Sequence, residues 1–125
     1  MRILLDSHIV IWAMTDRTRL SAAARETIER ASEVVVSAAT IWEIAIKVGI
    51  GKLELDMDDL IISLDQAGAH RLPVTWEHGL AVEHLPLHHR DPFDRILVAQ
   101  AVSEPLKLVT SDARLRLYGE SIQLV

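Results

Sequence analysis

Short apolar runs alternate with helix-forming segments along almost the whole chain, and that alternation restricts the fold more than any other feature. Ile3-Leu4-Leu5, Val34-Val35-Val36-Ser37, His70-Arg71-Leu72, Lys107-Leu108-Val109 and Ile122-Gln123-Leu124 read as strands. Between them the pattern predicts helices over 8–14, 22–31, 40–48, from Asp56 or Asp58 to about Ala67, 76–83 and 92–103, with a short one over 113–118. Ser21 is a fitting N-cap, Gly49 and Gly51 a fitting stop, and Pro73 keeps the residue before it extended. Strands that alternate with helices imply a parallel sheet with right-handed crossovers and helices on both faces, an α/β/α architecture of about five strands. With strand order 3-2-1-4-5, ligands would bind where strands 1 and 4 end side by side.

Acids stand at that place. Asp6 follows the first run and Asp112 the fourth, while Glu43 and Asp94 are expected in the first turns of their helices. Each has an ordinary explanation. Asp6 and Asp112 could cap the helices after them. Glu43 stands four residues before Lys47, in the favourable orientation for a helical ion pair. In Asp91-Pro92-Phe93-Asp94, Asp91 reads as an N-cap before a proline at the first helical position, and Asp94 could serve the helix dipole. Independent caps have no reason to converge, however, whereas a metal site requires convergence. Two charges about 4 Å apart repel by roughly 4 kcal/mol at an effective dielectric near 20, so four gathered carboxylates must take up protons or a cation. Carboxylate oxygens without cysteine suit Mg²⁺, with Mn²⁺ as a substitute, and hence phosphodiester cleavage.

The chain of 125 residues, half of them hydrophobic, is expected to form one domain with a real core. No run approaches the roughly 20 apolar residues of a membrane span, and the absence of cysteine suits a cytoplasmic location. A net charge of −5 counts against a broad nucleic-acid-binding surface but not against a metal nuclease, whose own acids supply most of the excess. Arg90, Arg95, Arg114 and Arg116 could then hold phosphates locally. A zinc site at His84, His88 and His89 is not expected, because Pro86 separates His84 from His88; contact with RNA or solvent suits these loop histidines better. Trp12, Trp42 and Trp76 are expected in the core or an interface, and the apolar Trp42 helix suits a dimer contact. There is no cysteine nucleophile, no nucleophile elbow and no glycine-rich phosphate loop opening a helix.

The stretches LLDSHIVIWA (4–13), SAATIWEIAIKVGIGKL (37–53), LPLHHRDPFDRILVAQA (85–101) and LKLVTSDARLRLYG (106–119) together resemble a PIN-domain ribonuclease, specifically the VapC-like toxin branch of type II toxin–antitoxin systems. The resemblance implies a Mg²⁺-dependent endoribonuclease that prefers single-stranded RNA or tRNA loops, forms a homodimer and is inhibited by a cognate VapB-like antitoxin. Its acidic quartet falls on Asp6, Glu43, Asp94 and Asp112, with Thr110 and Arg95 as auxiliary residues. Ser7 stands where this branch often has threonine. The implied mechanism is attack by metal-activated water, leaving 5′-phosphate and 3′-hydroxyl ends. Two rivals remain: an inactive PIN-fold interaction module, and a metal-dependent phosphatase of similar topology. The phosphatase would want a second aspartate where this chain has His8.

Overall fold

The structure is a computed structural model that describes residues 1–125. Five strands, β1 (Arg2–Leu5), β2 (Glu33–Ser37), β3 (His70–Leu72), β4 (Lys107–Thr110) and β5 (Ile122–Leu124), form one sheet in the order β3-β2-β1-β4-β5, parallel at every pairing. The expected topology is the observed one. In the centre Leu4 lies between Val35 and Leu108, so the middle of β1 is hydrogen-bonded on both sides.

Strand alternation distributes the apolar residues between two cores. Ile3 and Leu5 of β1, Val36 of β2 and Val109 of β4 join Ile9, Val10, Ile44, Leu60 and Leu64 on one face. Leu4, Val35 and Leu108 join Leu97, Val98, Ala101 and Leu115 on the other. The helices are α1 (Ser7–Thr15), α2 (Ala22–Arg30), α3 (Ala38–Gly49), α4 (Met57–Gln66), α5 (Trp76–Val82) and α6 (Pro92–Ser103). Segments α1, α2 and α4 cover the first face, α6 covers the second, and α3 reaches both through Ile44 and Ala39.

Several details refine or differ from the sequence reading for physical reasons. Helix α3 begins at Ala38 rather than Thr40, because Ser37 ends β2 and at once accepts the Ala39 N–H through Oγ at 3.0 Å. Glu43 consequently sits in the second turn of its helix, not the first. Of the two caps the sequence allows for α4, Asp56 is the one used, accepting the Asp59 N–H at 3.0 Å. Residues 113–118 wind as a 3₁₀ helix, and a further 3₁₀ turn over Arg17–Arg19, unexpected from the sequence, is capped by Asp16. Of the tryptophans, Trp12 is partly buried against the first core, while Trp42 and Trp76 are 63% and 89% exposed and take no part in the core. No helix is long and apolar enough to cross a membrane.

Candidate active site

The carboxyl ends of β1 and β4 meet where both strands run into helical caps. The Asp6 N–H donates to the Val109 carbonyl at 3.0 Å, which carries the β1–β4 ladder one residue beyond the strand. Asp6 is 5% exposed, and its Oδ1 accepts the Ser7 N–H at 2.7 Å as the α1 cap. Its other oxygen, Oδ2, accepts the Thr110 hydroxyl at 2.6 Å, while Thr110 Oγ1 accepts the Asp112 backbone N–H at 3.0 Å. One fully buried hydroxyl thus ties the acid after β1 to the acid after β4.

Asp94 enters from α6. Asp91 caps that helix, accepting the N–H groups of Phe93 and Asp94 at 2.9 and 3.1 Å, with Pro92 in its first turn. Burial, followed by the charges of Asp6, Asp91, Glu43 and Asp112, raises the Asp94 carboxyl from 3.8 to about 7. Asp112 goes the other way. The Arg114 guanidinium grips both of its oxygens at 2.8 to 3.2 Å and holds the carboxyl down to about 2. Glu43 has a divided role: Oε2 pairs with Lys47 at 3.1 Å, and Oε1 is buried with no hydrogen-bond partner. The helical ion pair and an oxygen free for a ligand therefore coexist in one side chain.

His89 completes the cluster. Its ring is 7% exposed, with Nε2 at 3.3 Å from Asp94 Oδ2 and 3.5 Å from Asp112 Oδ2. The donor atoms of His89, Asp94 and Asp112 all lie within 4.8 Å of one another. Asp6 and Glu43 stand outside that tight set and reach Asp94 through their charge.

A PIN-domain family profile matches residues 3–120, and ribonuclease VapC22 of Mycobacterium tuberculosis is 33% identical over 117 residues, spanning 91% of this chain and 89% of that protein. The chain belongs to the PIN-domain family, as a VapC-type ribonuclease toxin. Solved structures agree in fold. VapBC2 from Rickettsia felis bound to a promoter DNA fragment superposes with a TM-score of 0.70 at 14% identity, covering 100% of this chain and 98% of that one. FitAcB from Neisseria gonorrhoeae gives 0.65 at 18% identity, covering 94% and 92%. VapBC-5 from M. tuberculosis gives 0.62 at 19% identity, covering 99% and 97%. VapC nucleases are metal-dependent.

In this VapC-family chain Asp94 and Asp112 are brought into direct proximity, with Asp6 tied in through Thr110. Arg95 is placed differently from the expectation of an auxiliary phosphate-holding group. Its Nη1 donates to the Pro86 and His89 carbonyls at 3.0 and 3.3 Å and to Tyr118 Oη at 3.1 Å, and its Nη2 donates to the Val82 carbonyl at 3.2 Å. These bonds commit its guanidinium to the loop between α5 and α6. Arg90 and Arg116 are exposed and take part in no ion pair, whereas Arg114 is held by Asp112. His89 is the residue that sequence reasoning missed at this site. Its signal was its position two residues before the Asp91 cap, obscured by its place in a histidine-rich loop.

Proposed function

We propose that the chain is a Mg²⁺-dependent endoribonuclease toxin, with Mn²⁺ as a working substitute, in which Asp6, Glu43, Asp94 and Asp112 form the metal centre. One observation carries this reading: a largely buried carboxyl that burial first, and then the charges of the three other acids and Asp91, raise to about 7, beside a buried Glu43 oxygen without a partner. A donor set of carboxylates offers hard oxygens and excess negative charge, which fits a small divalent cation. Asp6, Asp94 and Asp112 would hold the ion directly or through water, and Glu43 would complete the set or orient the attacking water. A bound divalent ion would lower the pKa of that water and offset charge on the phosphate in the transition state. Thr110 fixes the direction in which Asp6 presents its free lone pairs. The exposed side chain of Arg90, which lines the same crevice as His89, Asp91 and Arg114, is a cation available to RNA phosphates there.

The substrate in this reading is single-stranded RNA or a tRNA loop, whose splayed nucleotides can enter an open crevice. The partner is a cognate VapB-like antitoxin; the solved neighbours include toxin–antitoxin complexes. A homodimer is supported by an apolar surface of exposed Trp42 and Val74 beside half-buried Phe93 and Ile96. The same reading places a single PIN domain in the cytoplasm.

The test is induction of the wild-type chain and of Asp94→Asn in separate bacterial cultures, with newly formed RNA 5′ ends mapped across the transcriptome. Sharp new ends and growth arrest with the wild type alone are expected. In vitro, chelation should abolish cleavage and Mg²⁺ restore it, with 5′-phosphate and 3′-hydroxyl products. Cleavage that persists in chelator, or 2′,3′-cyclic phosphate ends, would rule the mechanism out.

A further inference from the structure

His89 is held at three points, one on the ring and two on its backbone. Its Nδ1 accepts the Asp91 backbone N–H at 3.0 Å, its own backbone N–H donates to Tyr118 Oη at 3.1 Å, and its carbonyl accepts from Arg95. Because Nδ1 accepts, it carries no proton, and the hydrogen of the neutral ring lies on Nε2. That nitrogen is buried, stands between Asp94 and Asp112, and is aligned as a full hydrogen bond with neither. A buried N–H at 3.3 and 3.5 Å from two carboxylate oxygens needs only a small side-chain adjustment to bond either of them.

We propose that His89 is a positioning residue of the acidic centre, a hydrogen-bond donor that holds Asp94 and Asp112 through Nε2 and makes no bond to the metal. A ligand nitrogen needs a lone pair. The neutral imidazole has one, and it is already directed at the Asp91 N–H. Ligation through Nε2 would require the proton to move to Nδ1, where it would face another donor. The ring's task is therefore outside the coordination sphere, fixing the separation and rotation of two ligands, as partners of metal-binding side chains commonly do. The same short turn, from His89 to the Asp91 cap, thus starts α6 and sets the angle at which Asp94 meets Asp112.

This inference rests on the metal-centre reading above, and the experiment separates the two. In the full chain labelled with ¹⁵N and ¹³C, long-range ¹H–¹⁵N correlations of the His89 ring should show Nδ1 bare and Nε2 protonated, without metal and at saturating Mg²⁺ alike. The opposite tautomer, or loss of the Nε2 proton on adding Mg²⁺, overturns the donor role. If Mg²⁺ shifts none of the four carboxyl carbons, the metal reading fails, while the metal-free tautomer still decides whether His89 is a donor.

Two substitutions give the second arm. In His89→Asn the amide oxygen can still accept from Asp91 but the Nε2 donor is gone; in His89→Gln a donor returns near the Nε2 position. Calorimetry with Mn²⁺ should show affinity about tenfold weaker for His89→Asn, with His89→Gln recovering most of the loss. The reverse order, or affinities equal to wild type in both, would mean that the ring serves only the turn and would overturn the proposal.

Discussion

Asp94 shows how one side chain can oppose the fold that holds it. Its carboxyl titrates at about 7 in the folded chain against an ordinary 3.8, so between those values the folded state keeps a proton that the unfolded state has lost. Metal-free stability therefore falls as pH rises from about 4 to about 7, and the whole penalty, on the order of 2–4 kcal/mol, is present above that window. Asp94→Asn removes it. Thermal melts in chelator should place the variant about 5 °C or more above wild type at pH 8, with the difference vanishing near pH 4. Equal melting at pH 8 would mean that Asp94 is not crowded by other charges. Thr110 makes the opposite contribution. Thr110→Val keeps the shape but leaves Asp6 Oδ2 and the Asp112 N–H without their shared partner, and denaturant unfolding should show a loss of about 2–3 kcal/mol. Residue identity alone could nominate these groups, since an aspartate after an apolar run is visible in any sequence. It could not show that the two acids share one hydroxyl, which depends on pairing across 104 positions.

Among the elements, those with a strong local signal were readable and those defined by tertiary contacts were not. Helix α6 runs from Pro92 to Ser103 as expected because Asp91 and Pro92 announce its start within two residues. The beginning of α3 was misplaced because Ser37 belongs to two elements, and periodicity cannot assign one residue twice. The segment joining α5 to α6 was read only as a loop, and its internal order comes from Arg95, whose partners lie up to 23 positions away. Arg95→Ala should loosen that segment as a unit. Hydrogen exchange at residues 84–90 should accelerate while the amides of β1 and β4 stay protected, and Arg95→Lys should fail to restore protection because an ammonium cannot reproduce the planar fork. Unchanged exchange would show that the loop holds its shape without the arginine.

Over the whole molecule, the strand order was legible because alternation and chain direction leave few alternatives for a five-stranded parallel sheet. The distribution of exposed apolar groups was not, since the sequence leaves core and interface equally open to the tryptophans, and only the fold leaves Trp42 and Trp76 exposed. If that surface seats a second copy, sedimentation should give a dimer at micromolar concentration, and Trp42→Glu should shift it toward monomer with the melting temperature little changed. A monomeric wild type would instead leave the surface to the antitoxin.

The Thr110 bridge also bears on how the chain is made. The hydroxyl that aims Asp6 and the acid that faces it arrive with β4, more than 100 residues after Asp6 itself. An unfinished chain has nothing to assemble around Asp6, so the proposed hydrolytic centre cannot form beside the translation machinery until β4 has been made. Long sequence separation, which slows folding, would thereby also delay the proposed activity relative to the rest of the chain.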